Sequence, residues 1–191
     1  MAYSNLSVLR QQLRPDWRIH GIIMHGGVKP NIIPDYSERE YYLRTPSHRD
    51  LATIRAQADA CFRAAAMATG CEVEILFVKN EFYEILRNRT LEGLYEENGK
   101  ALGMNFITKD SSGSSDFGNV THAVPGIHPY FYIRSDALTL RNIQLLLVQR
   151  RLFFTLRAAK ALAMTAVDVL FGLGVLERVR QEFTEAKLIE E

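Results

Sequence analysis

Five histidines are the side chains of this chain best suited to proton transfer or metal binding: His20, His25, His48, His122 and His128. No two of them share one element at metal-ligand spacing, and no His-Glu-x-x-His is present. There is no Gly-x-Ser-x-Gly elbow to expose a nucleophilic serine and no glycine loop of the kind that cradles phosphate. The stretch "GSSDFG" contains an Asp-Phe-Gly, but no Gly-rich loop, Val-Ala-x-Lys or His-Arg-Asp accompanies it, which excludes a kinase. Taken alone, Asp116 reads as a turn residue bonded to its own backbone. His128, before Pro129 on an apolar run, reads as a hydrogen-bonded core histidine. His25-Gly26-Gly27 reads as a turn.

The elements that must position these residues belong to an ordinary globular chain. It has 191 residues, 47% apolar and 24% charged, with a formal net charge of +1. Such a balance gives no electrostatic pull toward nucleic acid or a membrane surface. The start, "MAYSNLSVLRQQLRPDW", lacks the apolar core of a secretory signal. The most apolar stretch, "AAKALAMTAVDVLF" (158–171), is too short to span a bilayer and carries Lys160 and Asp168. A soluble, cytoplasmic protein is expected, with Cys61 and Cys71 as buried thiols rather than a disulfide and the sequon at Asn88 idle.

Along the chain, "NLSVLRQQL" reads as the tail of a helix. "RIHGIIM" (18–24) and "EREYYLR" (38–44) read as strands around a glycine- and proline-rich connection. Ser47-x-x-Asp50 resembles a capping box. Leu51, Ile54, Ala58, Phe62 and Ala65 then recur at helical spacing until Gly70. "CEVEILFV" (71–78) alternates and reads as a third strand. Helix, strand, strand, helix, strand is a split βαβ, ferredoxin-like layer without its first strand. Further on, a helix runs from a cap at Asn88 to Gly103. "MNFIT" and "IHPYFYI" read as strands, and a helix over 152–171 continues beyond Gly172 and Gly174. The fold class is α/β (α+β), and both halves look incomplete.

Four stretches carry a family resemblance. "HGGVKPNIIPDYSEREYYLR", "ADACFRAAAMATGCEVEI", "GSSDFGNVTHAVPGIHPYFYI" and "TLRAAKALAMTAVDVLF" together resemble the peptidase M-twenty family of zinc exopeptidases and amidohydrolases. The resemblance covers nearly the whole chain. It implies that residues 1–79 form part of a ferredoxin-like lid or dimerisation domain, and residues 80–191 the C-terminal part of an α/β zinc-peptidase catalytic domain. It implies a cytosolic dipeptidase acting on dipeptides that end in a basic residue, of the β-alanyl-lysine type, and a homodimer paired through the lid. Asn31 matches the family asparagine that reaches into the partner subunit's active site. Arg44 matches the arginine that clamps the substrate carboxylate, a task suited to its planar fork of donors. Asp116 falls on a loop at the floor of the active site, followed by a catalytic-sheet strand. His25 is not the equivalent of the lid histidine that polarises the scissile carbonyl.

The family's zinc ligands are another matter. Its His-x-Asp, bridging Asp and Glu-Glu pair have no match here, and the position of its last ligand, a histidine, is occupied by Leu140. No catalytic residue and no zinc are therefore expected for this chain alone. The segment "LRNIQLLLVQRRL" (140–152) departs from the family pattern altogether. One coding stretch for the family's Ser-Glu-Glu-Tyr-Thr-Glu, TCT GAG GAA TAT ACA GAA, gives Leu-Arg-Asn-Ile-Gln when read one base later. That is the sequence from Leu140 to Gln144, and it points to a local frameshift; the alternative is a divergent surface loop. A second function class stays open beside the dipeptidase: a non-catalytic dimerisation or binding module that keeps only the lid.

Overall fold

Ser47 has the extended backbone of a helix N-cap (φ −119°, ψ 140°), and its hydroxyl accepts from the Arg49 N–H at 3.3 Å. It opens α2 (His48–Thr69), which ends at Gly70 in the left-handed region (φ 66°, ψ 23°). A Cβ on Gly70 would meet nothing within 4 Å, so the backbone angle and not space selects glycine there. The expected capping box is not reciprocal: Asp50 turns instead to Arg14, at 2.9 Å. The computed structural model describes residues 1–107, 115–133 and 149–190. It divides into two units, Met1–Glu84 and Ile85–Glu191, and combines helices with a small sheet in an α+β fold.

In the first unit, α1 (Ala2–Leu9) and a 3-10 turn (Arg10–Gln12) precede β1 (Arg18–His25) and β2 (Glu38–Arg44). The strands are antiparallel, with Arg18 opposite Arg44, His20 opposite Tyr42 and Ile22 opposite Glu40. Leu6, Trp17, Ile19, Ile54 and Ala58 form the core, flanked by Tyr41, Leu43, Cys61 and Phe62. The Tyr41 ring lies across Gly21, where a Cβ would collide with it, and packs 5.3 Å from Phe62. Ile54 and Ala58 are fully buried on one face of α2, so the 3.6-residue period is what joins helix to sheet. Ile54→Ala would cost about 2–5 kcal/mol through lost burial and the cavity left behind.

The third expected strand is absent: residues 71–78 form neither helix nor strand, and the described sheet has two strands. Alternation sets which side chains face inward, but a strand also needs a neighbouring backbone to bond. Cys61 is half-buried and its thiol is pushed up by that burial. Cys71, expected to be buried, is exposed; both cysteines are free.

The second unit holds α3 (Arg89–Ala101), α4 (Phe117–Ala123), α5 (Gln149–Phe171) and α6 (Val175–Glu190). Leu91, Val175 and Val179 form its core, with Leu94, Ile127 and Val169 around them. Ala158 and Ala161 are buried on α5, where small side chains let it approach α3 closely. Between these helices, Asn98 donates to Asp168 at 2.6 Å and to Thr165 at 3.3 Å. The chain breaks between α5 and α6 at Gly172 and Gly174, the latter at φ 67°. No single described helix is long and apolar enough to cross a membrane.

Two further expectations fail here. Residues 104–107, the described part of "MNFIT", are not a strand; Phe106 instead packs edge-on to Tyr95 at 5.7 Å. Residues 127–133, "IHPYFYI", are not a strand either. Pro125 and Pro129 lack the N–H that a ladder needs.

Candidate functional site

Arg44 is the last residue of β2 and is half-buried. Its register partner is Arg18, so two guanidinium-bearing residues stand opposite at one end of the sheet. Like charges directly opposite on a ladder repel. Arg18 directs its guanidinium to the carbonyls of Pro15 and Trp17, the latter at 2.7 Å. A carboxylate is the anion that fits a planar guanidinium fork best.

Asn31 lies in the connection between the strands and is exposed. That connection is shaped by Gly27, at φ 113° with Pro34 against it, and by a turn in which Ile32 N–H donates to the Lys29 carbonyl at 3.1 Å. His25 is tied to the return of the same connection: its Nδ1 is 3.3 Å from the Tyr36 carbonyl oxygen, and the two rings are 5.6 Å apart.

Asp116 does not sit in the expected loop but at the start of a helix. It occupies the N-cap position of α4 in the αR conformation, exposed and without a cap bond. Ser115 supplies the local bond instead, its hydroxyl accepting from the Phe117 N–H at 3.2 Å. The anchor of this helix is Thr121, fully buried, which donates to the Gly118 carbonyl at 2.7 Å and accepts from the Leu86 N–H at 3.0 Å. His128, expected in the core, is exposed, with its ring tilted against those of Phe117 (5.1 Å) and Tyr130 (5.3 Å). Leu140 lies outside the described residues.

One arrangement in the first unit has no local sequence signal. Glu84 accepts from the His48 N–H at 2.8 Å and pairs with the His48 ring Nδ1 at 3.0 Å, and Tyr83 stacks on that ring at 4.6 Å. Burial alone would raise the Glu84 carboxyl, but the hydrogen bonds and charge of His48 hold it below its usual value. Nearby, Arg55 pairs with Glu81 at 2.9 Å and lies 3.8 Å over the Phe77 ring. The partners are 36 and 26 residues apart in sequence, too far for any periodicity to reveal.

Neither unit, taken by itself, gathers three histidine, cysteine or carboxylate ligands among the described residues. A hydrocarbon at position 140 cannot ligate zinc at all. The last zinc ligand implied by the resemblance therefore has no donor atom at position 140.

The comparisons with known proteins agree with the resemblance read from sequence. No family model matches the chain. Over its whole length it is 56% identical to an Xaa-Arg dipeptidase of Mus musculus and 53% identical to an Xaa-Arg dipeptidase of Homo sapiens. Both are similar to the chain from end to end, in keeping with the resemblance to the peptidase M-twenty family read from its motifs. The chain spans only 46% and 45% of the lengths of these two relatives.

Proposed function

We propose that the protein to which these residues belong is a dipeptidase that hydrolyses the amide bond of dipeptides ending in a basic residue, β-alanyl-lysine being the type substrate. The single observation that carries this is the identity of more than half of all positions with Xaa-Arg dipeptidases. Arg44 holds the substrate carboxylate in this reading, and Asn31 reaches toward the active site of a second subunit across a lid-to-lid dimer. The two zinc ions of the family would be held by residues this chain does not contain, so residues 1–191 alone are inactive. The compartment is the cytoplasm.

The test is direct. Purified chain 1–191 is incubated with β-alanyl-lysine with and without added zinc, and bound metal is measured by elemental analysis. No turnover and no stoichiometric zinc are expected. Turnover together with about one equivalent of zinc or more would overturn the inactivity of the chain, since three or four convergent ligands are needed to hold it. The coding sequence upstream of Met1 separates the dipeptidase from a non-catalytic lid module: an in-frame His-x-Asp and Glu-Glu pair supports the first.

A further inference from the structure

Asn98 and Gly99 lie side by side in the interior of α3, and they are the sole Asn-Gly pair of the chain. Both are poor helix formers, and packing fixes each of them. Gly99 is buried, and a Cβ on it would collide with the Phe106 ring and come within 3.3 Å of the Met104 sulfur. Asn98 supplies protons to two oxygens of α5: it donates to Asp168 at 2.6 Å and to Thr165 at 3.3 Å. Neither oxygen can donate in return. A carboxylate has no proton, and the Thr165 hydroxyl directs its own to the Ala161 carbonyl at 2.9 Å. Position 98 must therefore be a donor.

Asn-Gly is also the dipeptide most prone to modify itself, because a following glycine leaves the backbone nitrogen free to reach the asparagine side-chain carbon. The helix forbids that approach. Helical side chains lean toward the N-terminus, which carries the Asn98 Cγ away from the Gly99 nitrogen. That N–H is also held by the carbonyl one helical turn earlier. Reaction needs the two atoms about 3–3.5 Å apart, so α3 must unwind here and Asn98 must leave α5.

We infer that Asn98 is a deamidation site gated by α3, and that its product acts as a one-way latch. The Gly99 nitrogen bonds to the Asn98 Cγ, the Cγ–Nδ2 bond breaks, and ammonia leaves with the proton from Gly99. Water then opens the succinimide, giving aspartate if it adds at Cγ and isoaspartate if it adds at the backbone carbonyl. Either way a carboxylate replaces the amide. It faces the Asp168 carboxylate and the Thr165 oxygen with no proton to give, and is repelled. Lys160 borders the same groove, but one ammonium cannot neutralise two carboxylates. Isoaspartate also lengthens the backbone of α3 by one methylene and breaks its hydrogen-bond register. A chain whose α3 has opened and reacted does not re-dock it on α5. The inference is independent of the dipeptidase reading, because it uses no catalytic residue.

Peptide mass mapping of the full chain 1–191 follows residue 98 in mildly alkaline buffer, with and without unfolding urea. Circular dichroism confirms the fold in buffer, and enzymatic methylation specific for isoaspartate reads that product separately. Conversion is expected in urea and should be about tenfold slower or more in buffer, since the reactive form is reached only by local opening. No conversion in urea, or equal rates in the two, overturns the gated site. Hydrogen–deuterium exchange of residues 91–101 reads the latch. Asn98→Asp should speed that exchange about tenfold or more. Adding Asp168→Asn, which returns a donor to the pair, should reverse most of the effect. Unchanged exchange in Asn98→Asp overturns the latch, as does a double variant no better protected than the single one. Where Asn98→Asp alone does not fold, recovery of helical circular dichroism in the double variant supports the latch and its failure overturns it.

Discussion

Arg44 stands opposite Arg18 across the ladder, and what it does for the protein can be isolated by substitution. The host is a completed enzyme in which the zinc-holding residues of a full-length relative precede this chain, Leu140→His is introduced and the family loop follows it. There, Arg44→Ala should lower kcat/KM for β-alanyl-lysine about 30-fold or more, because truncating one partner of a buried charge-assisted pair costs about 2–5 kcal/mol. Arg44→Lys should recover little, since an ammonium cannot reproduce the bidentate fork. The C-terminal amide of the same substrate is the control. Equal damage to acid and amide, or none to either, would show that Arg44 does not clamp the carboxylate. Asn88 is a residue whose weight is structural. It is buried, accepts from the Leu91 N–H at 3.0 Å and donates to the Val179 carbonyl at 2.9 Å. Asn88→Ala removes a cap and strands a buried carbonyl, so urea unfolding should show a loss of about 2–4 kcal/mol.

Helix α3 begins under a carboxylate that comes from α6. Glu182 accepts from the Arg89 N–H at 2.6 Å and from the Thr90 N–H at 3.0 Å. Burial would raise its carboxyl, but these backbone donors and the Arg89 charge bring it below the usual value of 4.5. A carboxyl lowered on folding contributes stability above its unfolded value, and that contribution disappears as pH falls through the folded one. Glu182→Gln should therefore destabilise the chain at pH 7 by about 0.5–1 kcal/mol, kept small by partial solvent exposure. The gap should close as pH falls below 4.5 and through the lowered folded value, and urea midpoints at several pH values would measure it. An undiminished gap at low pH would assign the bond to shape and not to charge. Elements held by local signals were legible in the sequence. β1, β2 and α2 fall where alternation, the 3.6-residue period, Ser47 and Gly70 put them. Residues 71–78 misled because alternation of apolar and acidic residues carries no information about a bonding neighbour, and all of them but the half-buried Ile75 are exposed. The short helix α4 was hidden by Gly118 and by the serine- and glycine-rich run before it, which read as loop. Glu182 lies 93 residues from Arg89 and Glu84 lies 36 from His48. No window along the chain contains both members of either pair.

Much apolar surface is left uncovered in the second unit. On α5, Leu156, Val167, Leu170 and Phe171 are between 53% and 81% exposed, and Leu173 beyond it is 98% exposed. Large contiguous apolar patches drive association. Sedimentation of chain 1–191 at micromolar concentration should show mass rising with concentration; a sharp monomeric boundary would count against it. Asn88 also has a meaning in time. The atom that a glycosyltransferase would modify is the same amide nitrogen that bonds Val179, 91 residues later, in a helix synthesised well after it. Until α6 has emerged from the ribosome, that nitrogen has no such partner and the sequon is open. If the chain were redirected into a compartment that glycosylates, sugar at Asn88 would record how long the nascent chain waited for α6. A chain slowed before residue 175 should carry more of it, and one already folded should accept none.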